Sequence, residues 1–377
     1  MNYAKRIELY KAIEEYRKNP LIVYATSTRN GVQALIASDA VRQLIDQVDN
    51  LKDGKSVDIL IHSSGGDALA AWKLMSILRE RFDTVNVLVP FMAFSAATIL
   101  ALGANEIVMH PHASLGPIDP QITATLPDGT KRQFAYEDVG AFLRFLSEEV
   151  GITEQSYYGP LVDRIFSAVD PLVIGAAKRA SELSTSVGER LLKLHLNDSG
   201  DKDAARQIAE KLNKSFFAHG DAVSRTRARE LNLRIAKDDP TLEKLLWDAY
   251  LGIEEYMELR KSFEPIQHFL ADPKAKESLA PNAPLILPPN APPQLVEQLW
   301  NNIAQQSINK LNQPAIQVDY KLIHAIIESA RAISEFYTQG KISATRMVNG
   351  EIQVSMLAQE GGWRGQIMES VNEKENK

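Results

Sequence analysis

The chain contains no cysteine among its 377 residues. This absence excludes disulfides, thiol nucleophiles, iron–sulfur clusters and thiolate zinc sites. Basic residues are not in excess either, since 42 Lys and Arg stand against 48 Asp and Glu and give a formal net charge of −6. A chain without a basic surplus is not expected to bind nucleic acid. Any covalent chemistry must therefore use a serine, threonine, lysine or carboxylate side chain.

Long apolar runs are also lacking. The most apolar stretch, residues 85–102, is interrupted by Asn86, Pro90 and Ser95, which predicts a strand, a turn and a buried helix rather than a membrane span. The first 20 residues mix charged and apolar side chains and lack the apolar core of a signal peptide. We therefore predict a cytoplasmic protein with no integral membrane segment.

Residues 21–109 alternate between strand-like and helix-like patterns. Strands are predicted at residues 21–26, 57–62, 84–89 and 106–109, and helices at 67–82 and 95–102. Short strands that alternate with helices are typical of a mostly parallel sheet, because parallel neighbours need a helical crossover. We therefore predict an α/β core. A helical extension follows it, with helices at residues 137–150, 173–196, 203–217 and 224–231.

A proline-rich stretch divides the chain. Residues 273–293 hold 7 of the 18 prolines, a composition that disfavours helix and sheet and predicts an extended linker. We expect residues 1–272 to form the main domain and 294–377 to form a small α+β module for docking or assembly. Within that module we predict helices at residues 295–311 and 322–337, a strand at 315–318, and a hairpin around Asn349 and Gly350.

The first segment that could carry chemistry is HSSGGD, at residues 62–67 between a predicted strand and helix. Consecutive glycines allow a sharp turn that exposes backbone N–H groups to an anion. A purely structural turn fits the same residues, because glycine is common in tight turns. Neither a Rossmann nor a Walker motif is present, so the segment alone leaves both interpretations open.

The second segment places Ser95 at the start of the predicted buried helix. A serine there is a natural helix N-cap. It could instead be an accessible nucleophile, with the N–H of Ala96 available to stabilise an oxyanion. Ala93 and Ala97 stand where the α/β-hydrolase elbow has glycines, which disfavours that fold.

Three segments together resemble one protein family. They are HSSGGDALAAWKL at residues 62–74, FSAATILALGANEIVMHPHASLGPIDPQ at residues 94–121 and FFAHGDAVSRTRARELNL at residues 216–233. They are similar to the serine dehydrogenase proteinase family, relatives of signal peptide peptidase A within the Clp protease and crotonase superfamily. The resemblance extends roughly over residues 20–237.

This resemblance implies a Clp protease/crotonase-like spiral of ββα units and a serine peptidase activity. It implies Ser95 as the nucleophile and the N–H groups of Gly66 and Ala96 as the oxyanion hole, with Gly65 shaping the turn. Proteins of the superfamily commonly assemble as rings or stacked trimers, so it also implies a homo-oligomer. No cofactor is expected.

The identity of the general base is left open by the sequence. The triad histidine of the Clp protease subunit would fall on Ile118 or Asp119, so it is missing. Relatives of signal peptide peptidase A use a lysine from a later segment, and its amine must be desolvated to lose its proton near neutral pH. We favour Lys178, on a small and apolar helix face, over Lys131, in a polar loop. A solvated surface lysine is the alternative for both.

Other polar residues near the serine keep further alternatives open. His110 or His112 could act as the base if the loop brought it to the serine. Asp119 could orient the base or only end a turn. A metal site built from these three residues and His62 has suitable donor atoms, but no helical metal motif fixes them, so we expect no metal.

The prediction is thus an ATP-independent serine endopeptidase that acts on peptides or proteins. Two alternatives remain. A crotonase-like enzyme would use the same oxyanion hole to stabilise the enolate of an acyl-coenzyme A. A non-catalytic oligomeric scaffold would keep the fold without the chemistry.

Overall fold

A seven-stranded mixed sheet forms the centre of the computed structural model, which describes residues 2–51, 54–126, 128–196, 203–214, 222–280, 292–311, 316–347 and 350–367. The strands are β1 Leu21–Thr26, β2 Ser56–His62, β3 Thr84–Val89, β4 Met92–Ala93, β5 Glu106–Met109, β6 Ser114–Leu115, β7 Gln121–Thr125, β8 Lys131–Ala135, β9 Val223–Ser224, β10 Gln317–Glu328, β11 Ala332–Arg346 and β12 Ile352–Ile367.

Thirteen α-helices are found in the described part of the chain. They are α1 Tyr3–Arg17, α2 Ala40–Asp49, α3 Ala68–Arg81, α4 Ala96–Leu102, α5 Tyr136–Arg144, α6 Gln155–Ala168, α7 Pro171–Leu196, α8 Ala204–Lys214, α9 Arg225–Glu230, α10 Pro240–Tyr256, α11 Pro265–Ala271, α12 Pro273–Ser278 and α13 Pro293–Leu311. A π-helical turn, Phe145–Glu149, continues α5. None of these helices is long and apolar enough to cross a bilayer.

The central sheet has the order β12-β11-β10-β1-β2-β3-β5. Strands β1, β2, β3 and β5 are parallel, and helices connect them in the predicted alternation. All six residues of β1 are buried, as expected for a strand covered on both faces. The predicted parallel α/β core is therefore confirmed.

The two faces of the sheet bury separate apolar cores. Ile59 and Ile61 of β2 contribute to the core under α2, α3 and α4. Leu60 of the same strand contributes to the other core, with Ile13 of α1 and Leu246 of α10. This alternation follows from the two-residue period of a strand, and it places α4 and α10 on opposite faces of the sheet.

A small second sheet lies beside the carboxyl ends of the parallel strands. Its order is β4-β6-β9, and an isolated parallel bridge between Ser63 and Ala93 connects it to the end of β2. This small sheet and α4 position the segment that carries Ser95.

The predicted helices at residues 173–196 and 203–217 correspond to α7 and α8, although residues 215–217 lie outside the described part.

The predicted separate module at residues 294–377 is wrong in one respect, because its strands extend the central sheet. Strand β10 pairs antiparallel with β1 and places Ile326 opposite Ala25. The predicted helix at residues 322–337 is also wrong, since β10, a turn and β11 occupy it. The predicted hairpin is confirmed by the pairing of β11 with β12, while Asn349 of its turn lies outside the described residues.

The predicted linker at residues 273–293 begins with a short helix, α12. Most of the remaining linker lies outside the described residues. The predicted helix at residues 295–311 is found as α13. The prediction of an extended linker is therefore wrong at the start of residues 273–293. There the Asp272 side chain caps α12 by accepting the N–H of Ala275.

A buried ion pair joins the first helix to this C-terminal extension of the sheet. The Arg6 guanidinium donates to both carboxylate oxygens of Glu328 at 2.8 Å, and both residues are fully buried. The Tyr10 hydroxyl donates to the same carboxylate at 2.5 Å, and the Arg6 guanidinium also lies 3.8 Å from the ring centroid of Tyr256. Breaking a buried ion pair by removal of one partner is strongly destabilising.

We expect the Glu328→Gln substitution to lower the free energy of unfolding by about 3–5 kcal/mol, because it breaks the buried ion pair between Arg6 and Glu328. The matched control is Asp46→Asn, which removes the carboxylate of the exposed Arg42–Asp46 pair and should cost at most about 1 kcal/mol. Urea denaturation of the two variants measures both effects. Equal losses would contradict the assignment of a structural role to the buried pair.

Candidate active site

Ser95 lies between β4 and α4 in a strained backbone conformation. Its φ of 51° and ψ of −117° put a non-glycine residue in a region that costs roughly 1–3 kcal/mol and is found most often at functional sites. Ser95 stands at the N-cap position of α4, but its side chain makes no capping hydrogen bond. The N-cap interpretation of this serine is therefore not supported.

The Ser95 side chain is half-buried. Among the residues that the structure describes, no hydrogen-bond partner is found for its hydroxyl oxygen. A strained serine with an unengaged hydroxyl has the geometry of an accessible nucleophile rather than of a structural cap.

The Gly65–Gly66 turn packs directly against this serine. Both glycines have positive φ, 115° and 146°. A Cβ on Gly65 would lie 2.5 Å from the Cβ of Ser95, and a Cβ on Gly66 would lie 2.2 Å from the carbonyl oxygen of Ile36. Only glycine fits at either position, so the turn brings its backbone closer to the serine than any other residue would allow.

Among the described residues, the backbone hydrogen bonds of this turn do not use the N–H of Gly66. The carbonyl of Gly65 accepts from the N–H of Ile36 at 2.7 Å, and the N–H of Asp67 donates to the carbonyl of Ile36 at 2.9 Å. Because backbone groups alternate in an extended segment, the N–H of Gly66 points away from Ile36.

Two backbone donors therefore flank the contact between Gly65 and Ser95. In the described part of the chain, neither the N–H of Gly66 nor that of Ala96 donates a backbone hydrogen bond. Unengaged N–H groups beside a hydroxyl nucleophile are the arrangement that stabilises an oxyanion. The geometry is thus compatible with the predicted oxyanion hole.

Thr98 fixes α4 against the small sheet. Its hydroxyl oxygen lies 2.7 Å from the carbonyl oxygen of Ala93 and accepts the N–H of Gly116 at 3.0 Å. The sequence offered no separate signal for this role, because Thr98 follows Ser95 in a run of small residues. The contact holds the segments before and after Ser95 in a fixed relation.

The other end of α4 is held by two side chains from neighbouring helices. The Arg79 guanidinium donates to the carbonyl of Gly103 at 2.5 Å, and Nε2 of His195 lies 2.8 Å from the carbonyl oxygen of Leu102. A cation at a helix C-terminus is favourable because it faces the negative end of the helix dipole. Burial lowers the pKa of His195.

Lys178 is exposed, whereas the sequence predicts a buried side chain. Its side chain is 56% exposed, and its ammonium lies 3.7 Å from the carboxylate of Glu182 one turn along α7. The prediction that an apolar helix face desolvates this amine is therefore wrong for the single chain. Its role as the base stays a prediction.

Lys131 is the second lysine candidate for the base, and Asp119 is the candidate to orient it. Lys131 is exposed at the start of β8. A carboxylate oxygen of Asp119 accepts a hydrogen bond from the Gln121 side chain at 3.0 Å. No hydrogen bond to Ser95 is found for either residue within the described ranges.

His110 and His112 belong to an aromatic cluster with Trp247 of α10. Nδ1 of His110 accepts the N–H of His112 at 3.1 Å, and the His110 ring stacks on the indole of Trp247 at a centroid distance of 4.9 Å. Burial lowers the pKa of His110. The stacking and the backbone hydrogen bond give this histidine a structural environment on the α10 side of the sheet.

His62 lies on the same side, against the rings of Phe91 and Tyr250. Burial lowers its pKa to about 4, so the ring stays neutral at physiological pH. Among the described residues, no group of three or more histidine or acidic side chains is arranged to hold a metal ion.

Comparison with known families identifies the segment that carries this site. Residues 31–131 match the model of the ClpP-like SDH-type serine proteinases. This segment includes the Gly65–Gly66 turn, Ser95 and Ala96. The resemblance drawn from the motifs is confirmed, and with it the Clp protease-like α/β fold. The family that matches this segment is one of serine proteinases.

Two curated relatives are uncharacterized proteins of Methanocaldococcus jannaschii. One is 41% identical over 196 residues and the other 23% identical over 194 residues. Each alignment covers 52% of this chain, and it covers 59% of the first relative and 56% of the second. The chain thus spans less than two thirds of the length of either relative.

Two proteases are among the solved structures to which part of the chain is similar. A serine-to-alanine mutant of the 1510-N membrane-bound stomatin-specific protease is 16% identical, with a TM-score of 0.35 over 60% of this chain and 84% of that chain. ClpP1 from Listeria monocytogenes is 14% identical, with a TM-score of 0.31 over 62% of this chain and 97% of that chain.

We expect Gly65→Ala to destabilise the chain by roughly 2–4 kcal/mol, because the new Cβ adds a clash with Ser95 to the cost of a positive φ. The matched control is Gly129→Ala. Gly129 also has a positive φ, but a Cβ there meets no atom within 4 Å, so only the backbone cost of about 1–2 kcal/mol applies. Chemical denaturation compares the two variants, and a similar loss in both would argue against close packing at Gly65.

Proposed function

We propose that this protein is a serine peptidase that hydrolyses peptide bonds through an acyl-enzyme on Ser95. The observation that carries the proposal is the strained Ser95, with an unengaged hydroxyl among the described residues, packed against the Gly65–Gly66 turn. Both lie within the segment that matches serine proteinases. The proposal also includes the cleavage of internal peptide bonds without ATP, a protein or peptide substrate, and a cytoplasmic location.

The reaction begins when Ser95 Oγ attacks the carbonyl carbon of the scissile bond and its proton passes to a general base. The negative charge that develops on the carbonyl oxygen is stabilised by the N–H groups of Gly66 and Ala96. The carbon–nitrogen bond then breaks, and the base returns the proton to the leaving amine. Water hydrolyses the resulting ester and regenerates the Ser95 hydroxyl.

Lys178 is the base that we propose first, and Asp119 is a candidate to orient it. A lysine serves as a general base where its amine is removed from water. Lys178 could be desolvated against a second copy of the chain, since it lies on an exposed side of α7. The proposal therefore includes a homo-oligomer.

The substitution Ser95→Ala tests the nucleophile. We expect it to abolish both hydrolysis of an unfolded protein substrate and covalent labelling by a fluorophosphonate probe, because the acyl-enzyme and the phosphonyl adduct both form on Ser95 Oγ. Ser76→Ala, in α3, is the control and should retain both signals. Label on any other residue, or full hydrolysis by Ser95→Ala, would refute the proposal.

Matched substitutions test the base. Lys178→Met should lower kcat by about 10²–10⁴, the usual contribution of a general base, with little change in KM. Lys131→Met removes a positive charge that is also exposed and should leave kcat unchanged. A large loss of kcat in Lys131→Met alone would move the role to that lysine, and unchanged kcat in both would exclude a lysine base at either position.

One observation favours a second candidate function, a non-catalytic scaffold of the same fold. No amine or imidazole within the described ranges is hydrogen-bonded to Ser95 Oγ. A scaffold would give neither hydrolysis nor fluorophosphonate labelling, even in the fully assembled oligomer. The labelling experiment on the wild-type chain therefore separates the two functions.

A further inference from the structure

Two buried hydroxyl groups lie next to the Gly65–Gly66 turn, and the proposed mechanism does not use them. Thr26 ends β1 and Ser63 directly follows β2, and both residues are fully buried. The Thr26 hydroxyl donates to Ser63 Oγ at 2.7 Å. Neither side chain can touch a substrate directly, because neither is accessible.

The Ser63 hydroxyl is bonded to the turn itself. Its oxygen accepts the N–H of Gly65 at 3.1 Å, while the Ser63 O–H faces the carbonyl of Gly65 at 3.4 Å. A hydroxyl oxygen has two lone pairs, and here the Thr26 hydroxyl and the Gly65 N–H use them both. Thr26 therefore fixes the orientation in which Ser63 can hold the turn.

The backbone of Ser63 holds the other wall of the site. Its N–H donates to the carbonyl of Met92 at 3.1 Å, and its carbonyl accepts the N–H of Phe94 at 3.0 Å. Met92 and Phe94 belong to the segment that leads into Ser95. One residue is thus hydrogen-bonded both to the turn, through its side chain, and to the nucleophile segment, through its backbone.

We propose that Thr26 and Ser63 are positioning residues that fix the orientation of the Gly65–Gly66 peptide relative to Ser95. This inference rests on the proposed function, because the group that they aim is the Gly66 N–H of the oxyanion hole. If the Thr26 hydroxyl is lost, Ser63 can rotate and release the N–H of Gly65. The Gly66 N–H then no longer points to the place where the oxyanion develops.

An incorrectly oriented Gly66 N–H has a specific kinetic consequence. The oxyanion exists in the transition state and not in the bound substrate, so the loss falls on kcat and not on KM. A purely structural role would instead lower stability and leave the turnover of the folded fraction unchanged.

The test compares Thr26→Val with Thr26→Ser in the full chain. Valine keeps the shape of threonine without the hydroxyl, whereas serine keeps the hydroxyl. We expect Thr26→Val to lower kcat and the rate of fluorophosphonate labelling of Ser95 about 10–100-fold, with KM within about twofold of wild type. Thr26→Ser should restore kcat to within about threefold of wild type. Thr28→Val is the control, because the Thr28 hydroxyl faces His62 and not the turn.

A second variant, Ser63→Ala, keeps the inference testable if Thr26→Val does not fold, and it should show the same loss of kcat. An active wild type with unchanged kcat in Thr26→Val overturns the inference alone. Equal losses in Thr26→Val and Thr26→Ser, or a loss confined to KM, overturn it as well. A wild-type chain that neither hydrolyses peptides nor reacts with the phosphonate overturns the proposed function and this inference together.

Discussion

At Gly65 the backbone approaches the side chain of Ser95 so closely that no Cβ fits between them. This approach requires a positive φ at two successive glycines and a strained φ at the serine. Glycine adopts a positive φ at little cost, but the conformation of Ser95 is unfavourable by itself, so the surrounding structure must hold the serine against the turn. The organisation of the site follows from that requirement.

The surrounding contacts act on both segments. On one side, the bridge between Ser63 and Ala93 joins the end of β2 to β4, and Thr98 ties α4 to the same strand. On the other side, Arg79 and His195 bind the carbonyl end of α4. The helix that carries Ser95 at its start is therefore fixed at both ends, although it has only seven residues.

The Gly65–Gly66 turn and the start of α4 at Ser95 could be predicted from the sequence, because a glycine pair and a serine among small side chains are local signals. The role of Ser95 as nucleophile stays a proposal. The parallel core could be predicted for the same reason, since its strands are short apolar runs. The role of Thr26 could not, because its partner Ser63 is 37 positions away and only the pairing of β1 with β2 brings them together. The prediction that Lys178 is desolvated is wrong for the single chain, because an apolar helix face in the sequence does not show which residues pack against that face.

The C-terminal strands show a similar limit. Residues 322–337 have apolar positions spaced for a helix, yet they form β10, a turn and β11. The interactions that favour strands are distant in sequence, namely the pairing of β10 with β1 and the ion pair between Glu328 and Arg6. Local periodicity contains no information about partners more than 300 residues away, so the sequence predicts a separate module where the structure has an extension of the central sheet.

In the proposed mechanism, Gly66 and Ala96 present their N–H groups to an oxyanion formed at Ser95. A crystal structure of the chain after reaction with a peptidyl phosphonate would test this arrangement, because the phosphonyl oxygen takes the place of the oxyanion. We expect a covalent bond to Ser95 Oγ and a phosphonyl oxygen within hydrogen-bond distance of both N–H groups. A phosphonate bound to another residue, or one on Ser95 whose oxygen points to solvent, would contradict it.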